Sequence, residues 1–324
     1  MKKALSVCLF CVIILSYVSF TDAALFEMPS VLSDDAFNIV VPNTDNNTDN
    51  DLVIRGKSRK SKSKSSGSYK IWADFAGYSG SLPEMFAGAP ESDVDGFGFN
   101  VGIGFPRKSK SLSIFYTHNA PTQDYGIAKF ETENHLFGVI CDKTTDIFQY
   151  FAMANAGFDK YTLLIPGSSF DWDGWQMNFY GELAAELPVG NWNIRPHLGL
   201  GYHYLSTDIP AVEKTMDALE SNLGVRVLRN CLGQMLVFQG RASWIHQYLD
   251  QAPIYRMRYG SQVGVMSPTQ YYLLGGNPGR DWICCGAGLK YYIIDPFSIS
   301  VDYDLNVSKN ITMHIGSISA RLIW

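Results

Sequence analysis

Between Tyr69 and Trp324, apolar side chains return at every second position in one segment of about ten residues after another. This period of two restricts the fold more than any other feature, because it fits a strand with unlike faces and fits no helix. In 96–105, Phe97, Phe99, Val101, Ile103 and Phe105 alternate with Gly96, Gly98, Asn100, Gly102 and Gly104. In 175–187, Trp175, Met177, Phe179, Leu183, Ala185 and Leu187 share one face, while Gln176, Asn178, Tyr180, Glu182 and Glu186 share the other. In 192–204, Trp192, Ile194, Pro196, Leu198, Leu200, Tyr202 and Tyr204 oppose Asn193, Arg195, His197, Gly199, Gly201 and His203. In 297–307, Phe297, Ile299, Val301, Tyr303, Leu305 and Val307 oppose Ser298, Ser300, Asp302, Asp304 and Asn306. No stretch of this region has the apolar length of a transmembrane helix.

A soluble β-sandwich also alternates. Two further features point to a membrane barrel instead. Aromatic residues gather at the ends of the apolar rows (Trp175, Trp192, Tyr202, Tyr204), where a membrane barrel carries its interfacial girdles. The connections also alternate in length. Short ones fall at Pro106–Lys110, Asp142–Thr144, Pro188–Gly190, Asn230–Gly233 and Asp295-Pro296. Long ones fall at Ser81–Asp95, Asn119–Thr132, Asp159–Asp173, Ser206–Asp217 and Leu249–Arg280. Short periplasmic turns with long outer loops are the pattern of bacterial outer-membrane barrels.

The expected fold is therefore all-β, a 12-stranded antiparallel transmembrane up-and-down β-barrel. Its strands are expected at 69–79, 95–105, 111–118, 133–141, 146–158, 174–187, 191–205, 218–228, 234–248, 281–294, 297–307 and 311–324. Ile254–Gly260 alternates weakly. As a thirteenth strand it would put the two barrel ends on opposite sides, so it is read as a hairpin in a long outer loop. Closure matters because an open sheet edge in lipid leaves backbone groups unpaired, at several kcal/mol each.

Upstream of the barrel the chain changes character twice. Met1-Lys2-Lys3, an apolar run from Ala4 to Phe20 and the small residues near Ala23 read as an export signal over 1–23, cleaved near Ala23 or Ala24. Residues 24–68 read as a disordered linker or short passenger, acidic and Asn-rich first (Asp34 to Asp51) and basic later (Arg55 to Lys64). Asn46-Asn47 belongs to the acidic part. Charged residues make up only 18% of the chain and the net charge is −5, which argues against a nucleic-acid partner. Cys8 and Cys11 lie in the export signal. Cys141, Cys231, Cys284 and Cys285 match no zinc spacing, and adjacent Cys284 and Cys285 must point to opposite faces.

The region resembles the autotransporter β-domain, the C-terminal translocator of type V secretion. The resemblance rests on Leu223-Gly-Val-Arg226, Arg241-Ala-Ser-Trp244-Ile-His246, Gly286-Ala-Gly288-Leu289, Tyr303-Asp304 and the ending Ile318-Ser-Ala-Arg-Leu-Ile-Trp324. The opening Tyr69-Lys-Ile-Trp72-Ala-Asp-Phe75 is similar to the family's first strand. The resemblance implies an outer-membrane barrel that anchors or exports what precedes it. It also implies that Ile318, Ala320, Leu322 and Trp324 form a C-terminal signal for the barrel-assembly machinery. The terminal Trp, where Phe is more usual, and the short upstream segment both depart from the family pattern. The other reading of the same fold is a passenger-less, porin-like or adhesin-like barrel.

Alternation assigns an inward charged set of Glu182, Glu186, Arg195, Arg226, Arg241, Asp302, Asp304 and Arg321. Such a set lines a passage, or else it plugs a narrow barrel with mutual ion pairs. No catalytic constellation emerges. Ser243 and His246 are three apart on a strand and face opposite ways. His118, His135, His197, His203 and His314 are scattered along the chain, with His197 and His203 on one inward face about 20 Å apart. No cofactor or metal site is expected, and the chain is not expected to be an enzyme. The expected partners are outer-membrane lipid and the assembly machinery, with the barrel itself a monomer. The sequons at Asn306 and Asn310 carry no meaning in a bacterial barrel, and Asn306 is assigned inward.

Overall fold

The structure is a computed structural model. It describes residues 69–323 apart from 83–91, 108, 127, 146, 209–214, 233–234, 250–253, 259–260, 263–264, 267–269, 275–279, 295–296 and 310. The export signal, the linker and Trp324 lie outside the described residues. Among the described residues no helix is long and apolar enough to cross a membrane, so any crossing falls to strands.

The strands are β1 (Lys70–Leu82), β2 (Ser92–Arg107), β3 (Lys110–Asp124), β4 (Lys129–Thr144), β5 (Phe148–Ile165) and β6 (Ser168–Ala185). They continue with β7 (Leu187–Val189), β8 (Trp192–Thr207), β9 (Thr215–Cys231) and β10 (Leu236–Gln247). Four short strands follow: β11 (Ile254–Arg258), β12 (Ser261–Gln262), β13 (Val265–Met266) and β14 (Gln270–Leu274). The last are β15 (Asp281–Ile294), β16 (Phe297–Ser308) and β17 (Thr312–Ile323).

Each barrel strand pairs antiparallel with its neighbours, and β1 pairs with β17 from Lys70↔Ile323 to Ser81↔Thr312, which closes the ring. β6 and β7 both pair with β8 in one unbroken register, from Ala184↔His197 to Leu187↔Ile194, so they form one spanning strand. The break falls at Glu186, next to the position opposite Pro196, whose ring nitrogen has no proton to give the ladder. Counted this way the barrel has 12 strands, as the alternation predicts. The described part of the 254–260 segment, β11, stays out of the barrel and pairs with β14 in a separate hairpin between β10 and β15.

Two expected loops require correction. Asn119–Thr132 and Asp159–Asp173 are mostly strand, and their connections shrink to 125–128 and 166–167. The β5–β6 turn is Pro166-Gly167, with Gly167 at φ 84, a backbone conformation that favours glycine. These extensions looked like loops because their outward row turns polar: Glu131, Glu133, Lys160, Thr162, Asp171 and Asp173. Outward residues need to be apolar only inside the lipid. Beyond it the ladder continues in water, held by an inward cluster of Phe130 and Tyr161 with Tyr125, Leu163 and Trp172.

The apolar band itself is exposed on the outer surface. Phe75, Phe137, Leu200, Leu223, Ile283, Leu289, Val301 and Ile318 are all exposed. In β9 the outward row runs Asp217, Leu219, Ser221, Leu223, Val225, Val227, Arg229, with charges at both ends. At the short-turn end the Arg229 guanidinium lies over the Trp192 ring at 5.0 Å. At the other end Trp175 and Tyr204 pack at 5.0 Å. Tyr202, opposite Phe179 and Leu219 in the ladders, is buried. Arginine in place of Leu223, midway along this row, is expected to cost about 2–4 kcal/mol. The loss of heat-modifiable gel mobility with urea, in lipid vesicles, measures it. An unchanged unfolding midpoint would mean that this face does not meet lipid.

The barrel as candidate functional site

The inward face combines apolar plugs with a paired polar wall. Trp72, Phe115, Ile140, Phe151, Met153 and Tyr180 form one buried cluster, and Tyr78, Val94, Ile245, Trp282, Met313 and Ile315 belong to another. Apart from Tyr180, alternation assigns the inside polar residues and glycines, so this apolar filling is a difference. It arises because an interior closed off from lipid and largely filled by side chains rewards close packing as a soluble core does.

The polar wall is connected. Asn134 Nδ2 and Gln176 Nε2 each donate to Asp159 Oδ1 at 2.6 Å. Asn178 Nδ2 donates to Asn155 Oδ1 at 2.7 Å, and His203 Nδ1 lies 2.8 Å from Asn178 Oδ1. His203 Nε2 is 3.4 Å from Glu220 Oε1. Tyr180 donates to Glu182 Oε2 at 2.9 Å. Asp159 and Glu220 were missing from the assigned set. Asp159 falls in the expected loop Asp159–Asp173, whereas Glu220 is legible by counting back by twos from Arg226.

Seven of the eight assigned charges fall into three groups. Glu182 on β6 accepts two bonds from Arg226 on β9, both 2.7 Å, across the intervening β8. Both side chains are only 4% exposed. Arg195 reaches Glu186, in the gap between β6 and β7, at 2.8 Å. Arg241 on β10 reaches over β15 to β16, giving Nε and Nη2 to Asp304 at 2.6 Å each and Nη1 to Asp302 at 2.8 Å. Gly286 and Gly288 on β15 make this possible. A Cβ on Gly286 would overlap Asp304 Oδ1 and lie 2.7 Å from Arg241 Nε, and a Cβ on Gly288 would overlap Asp302 Oδ1. Arg321 on β17 stands apart from these pairs. With Asp74, Lys290 and the small residues of β16 and β17 it lines a cavity of about 10 Å³, room for about one water.

Of the assigned C-terminal residues, Ile318 and Leu322 are exposed on the outer face and Ala320 is half-buried between them, while Ser317 and Arg321 are buried inside. Asn306 is buried on the inward face, and Asn310 lies outside the described residues. Ser243 and His246 face opposite ways. Cys141, Cys231, Cys284 and Cys285 are free thiols, with Cys285 exposed and Cys284 packed against the inner cluster. The histidines are less scattered in space than in sequence. His118 and His135 are direct cross-strand partners, and Glu133 joins them on the outer face. Sequence reading missed this group because it depends on the β3–β4 register.

A closed 12-stranded barrel with an exposed apolar band, its first and last strands meeting at the short-turn end and an interior lined by its own ion pairs is an outer-membrane barrel of the translocator kind. The family model for the autotransporter beta-domain matches residues 71–304, and the chain belongs to that family. The translocator domain of the autotransporter NalP from Neisseria meningitidis is similar in fold. It has a TM-score of 0.63 at 15% identity, over 79% of this chain and 88% of that one. The beta domain of the Bordetella autotransporter BrkA gives 0.58 at 12% identity, over 79% and 99%. The transport unit of AIDA-I from Escherichia coli gives 0.60 at 12% identity, over 84% and 93%. No curated protein sequence matches the chain. Autotransporter β-domains reside in the outer membrane, and so does this barrel.

Proposed function

We propose that the barrel anchors the chain in the outer membrane and carries residues 24–68 to the cell surface, after export to the periplasm behind a cleaved signal over 1–23. The observation that carries this reading is the position of the first strand. β1 starts at Lys70 beside the chain's C-terminal end, at the short-turn rim. A segment attached there either stays in the periplasm or is carried across the outer membrane by the barrel. The family's translocator role favours the second. Ile318, Ala320, Leu322 and Trp324 form the signal that presents the barrel to the assembly machinery, and the outer-face placement of Ile318 and Leu322 suits an insertion partner. The barrel acts as a monomer, with lipid as its standing partner, and has no enzymatic role.

An epitope inserted beside Asn46 tests the proposal. On intact cells it is expected to bind antibody and to be removed by added protease, while the barrel stays protected. Accessibility only after the outer membrane is permeabilised would overturn export and leave a passenger-less barrel.

A further inference from the structure

We propose that His118, His135 and Glu133 bind a divalent transition-metal ion of the zinc or copper class on the outer surface of the barrel, where the apolar band gives way to the polar strand extensions. The β3–β4 register puts the two imidazoles opposite each other, with ring centroids 4.8 Å apart. Glu133 lies two residues along β4 on the same face. One ligand-capable atom from each of the three lies within 4.8 Å of the others. Bonds of about 2.0–2.1 Å around a tetrahedral ion need donors about 3.3 Å apart, so side-chain shifts of about 1 Å complete the site.

Three details favour a cation there over a plain girdle. His135 Nδ1 lies 2.7 Å from the Tyr116 hydroxyl, and its Nε2 lies 3.2 Å from Glu133 Oε1. When Nδ1–H donates to Tyr116, the Nε2 lone pair faces a carboxylate oxygen, an arrangement that either a proton or a bound cation between them satisfies. The Tyr116 bond also does what the outer partner of a metal-bound histidine does, fixing tautomer and ring orientation. Second, His118 Nδ1 is shielded from solvent and has no hydrogen-bond partner, while Phe99 at 5.3 Å and Phe97 at 6.3 Å flank the ring. Third, the Glu133 and His135 side chains are half-exposed, which gives an ion a way in. Two imidazoles and one carboxylate suit zinc, copper or nickel and suit magnesium or calcium poorly.

The test uses the full barrel in detergent, purified without a polyhistidine tag, with Cu²⁺ as a spectroscopic probe and Zn²⁺ in equilibrium dialysis. One ion per barrel is expected, with an electron paramagnetic resonance spectrum showing two coordinating nitrogens. His118→Ala and His135→Ala should each lose the two-nitrogen pattern and weaken binding by about 100-fold or more, and Tyr116→Phe by about 10-fold. His246→Ala, an outward histidine on β10, should change nothing. Heat-modifiable mobility confirms that each variant is folded. Absence of a stoichiometric ion in the unaltered barrel, or binding that survives loss of both His118 and His135, would overturn the site. Glu133 and His135 would then be an ordinary ion pair.

Discussion

Replacing Arg226 with alanine is expected to destabilise the barrel by about 3–5 kcal/mol, the cost of leaving a buried partner charge alone. The partner is Glu182, whose two oxygens each accept from Arg226 at 2.7 Å. In the variant Tyr180, at 2.9 Å, still donates to Glu182. One neutral donor does not replace a bidentate guanidinium. The measurement is the urea midpoint for loss of the heat-modifiable form in vesicles. The pair itself adds little net stability, because desolvating two charges offsets most of their attraction. The double change Glu182→Met with Arg226→Met should therefore recover most of what Arg226→Ala loses. A single variant within about 1 kcal/mol of the unaltered barrel would show that water reaches Glu182 freely. The bore would then be wetter than its 4% side-chain exposure suggests.

The contrast between that pair and the lipid face shows what the sequence could express. Alternation is a property of single strands, so Phe75, Leu223 and Val301 could be assigned outward and Arg226 inward with no knowledge of neighbours. The number of strands followed from the alternation of short turns with long loops, which is also read along a single chain. Pairing between strands is a different quantity. Glu182 and Arg226 meet over β8, and their meeting depends on the stagger with which the sheet closes. His118 and His135 meet because of one hairpin register. The extensions of β3 to β6 were missed for another reason. Their outward row reads Glu133, Lys160, Asp171 and Asp173 because lipid no longer selects it, and a polar row without lipid looks like a loop.

The Gly286-Ala-Gly288 stretch that helped carry the family resemblance has a physical role of this cross-strand kind, and its test is the second large effect. Strands two apart lie roughly 10 Å from each other, and the Arg241 side chain covers that distance only over residues without a Cβ. Arg241→Ala is expected to cost about 3–5 kcal/mol, because Asp302 and Asp304 then share one face of β16 with no cation between them. Asp302→Asn keeps both bonds to Asp304 and should cost about 1 kcal/mol or less. Gly286→Ala drives a methyl into Asp304 Oδ1 while Arg241 holds that oxygen in place, for about 1–3 kcal/mol. The two large changes should not add. Once Arg241 is gone, Asp304 can turn aside, and alanine at 286 meets chiefly the Tyr303 carbonyl, 2.8 Å from the new atom. A double-mutant cycle is therefore expected to return a coupling of about 0.5–3 kcal/mol. Strict additivity would mean that Gly286 serves the backbone alone and that the arginine bridge does not depend on it.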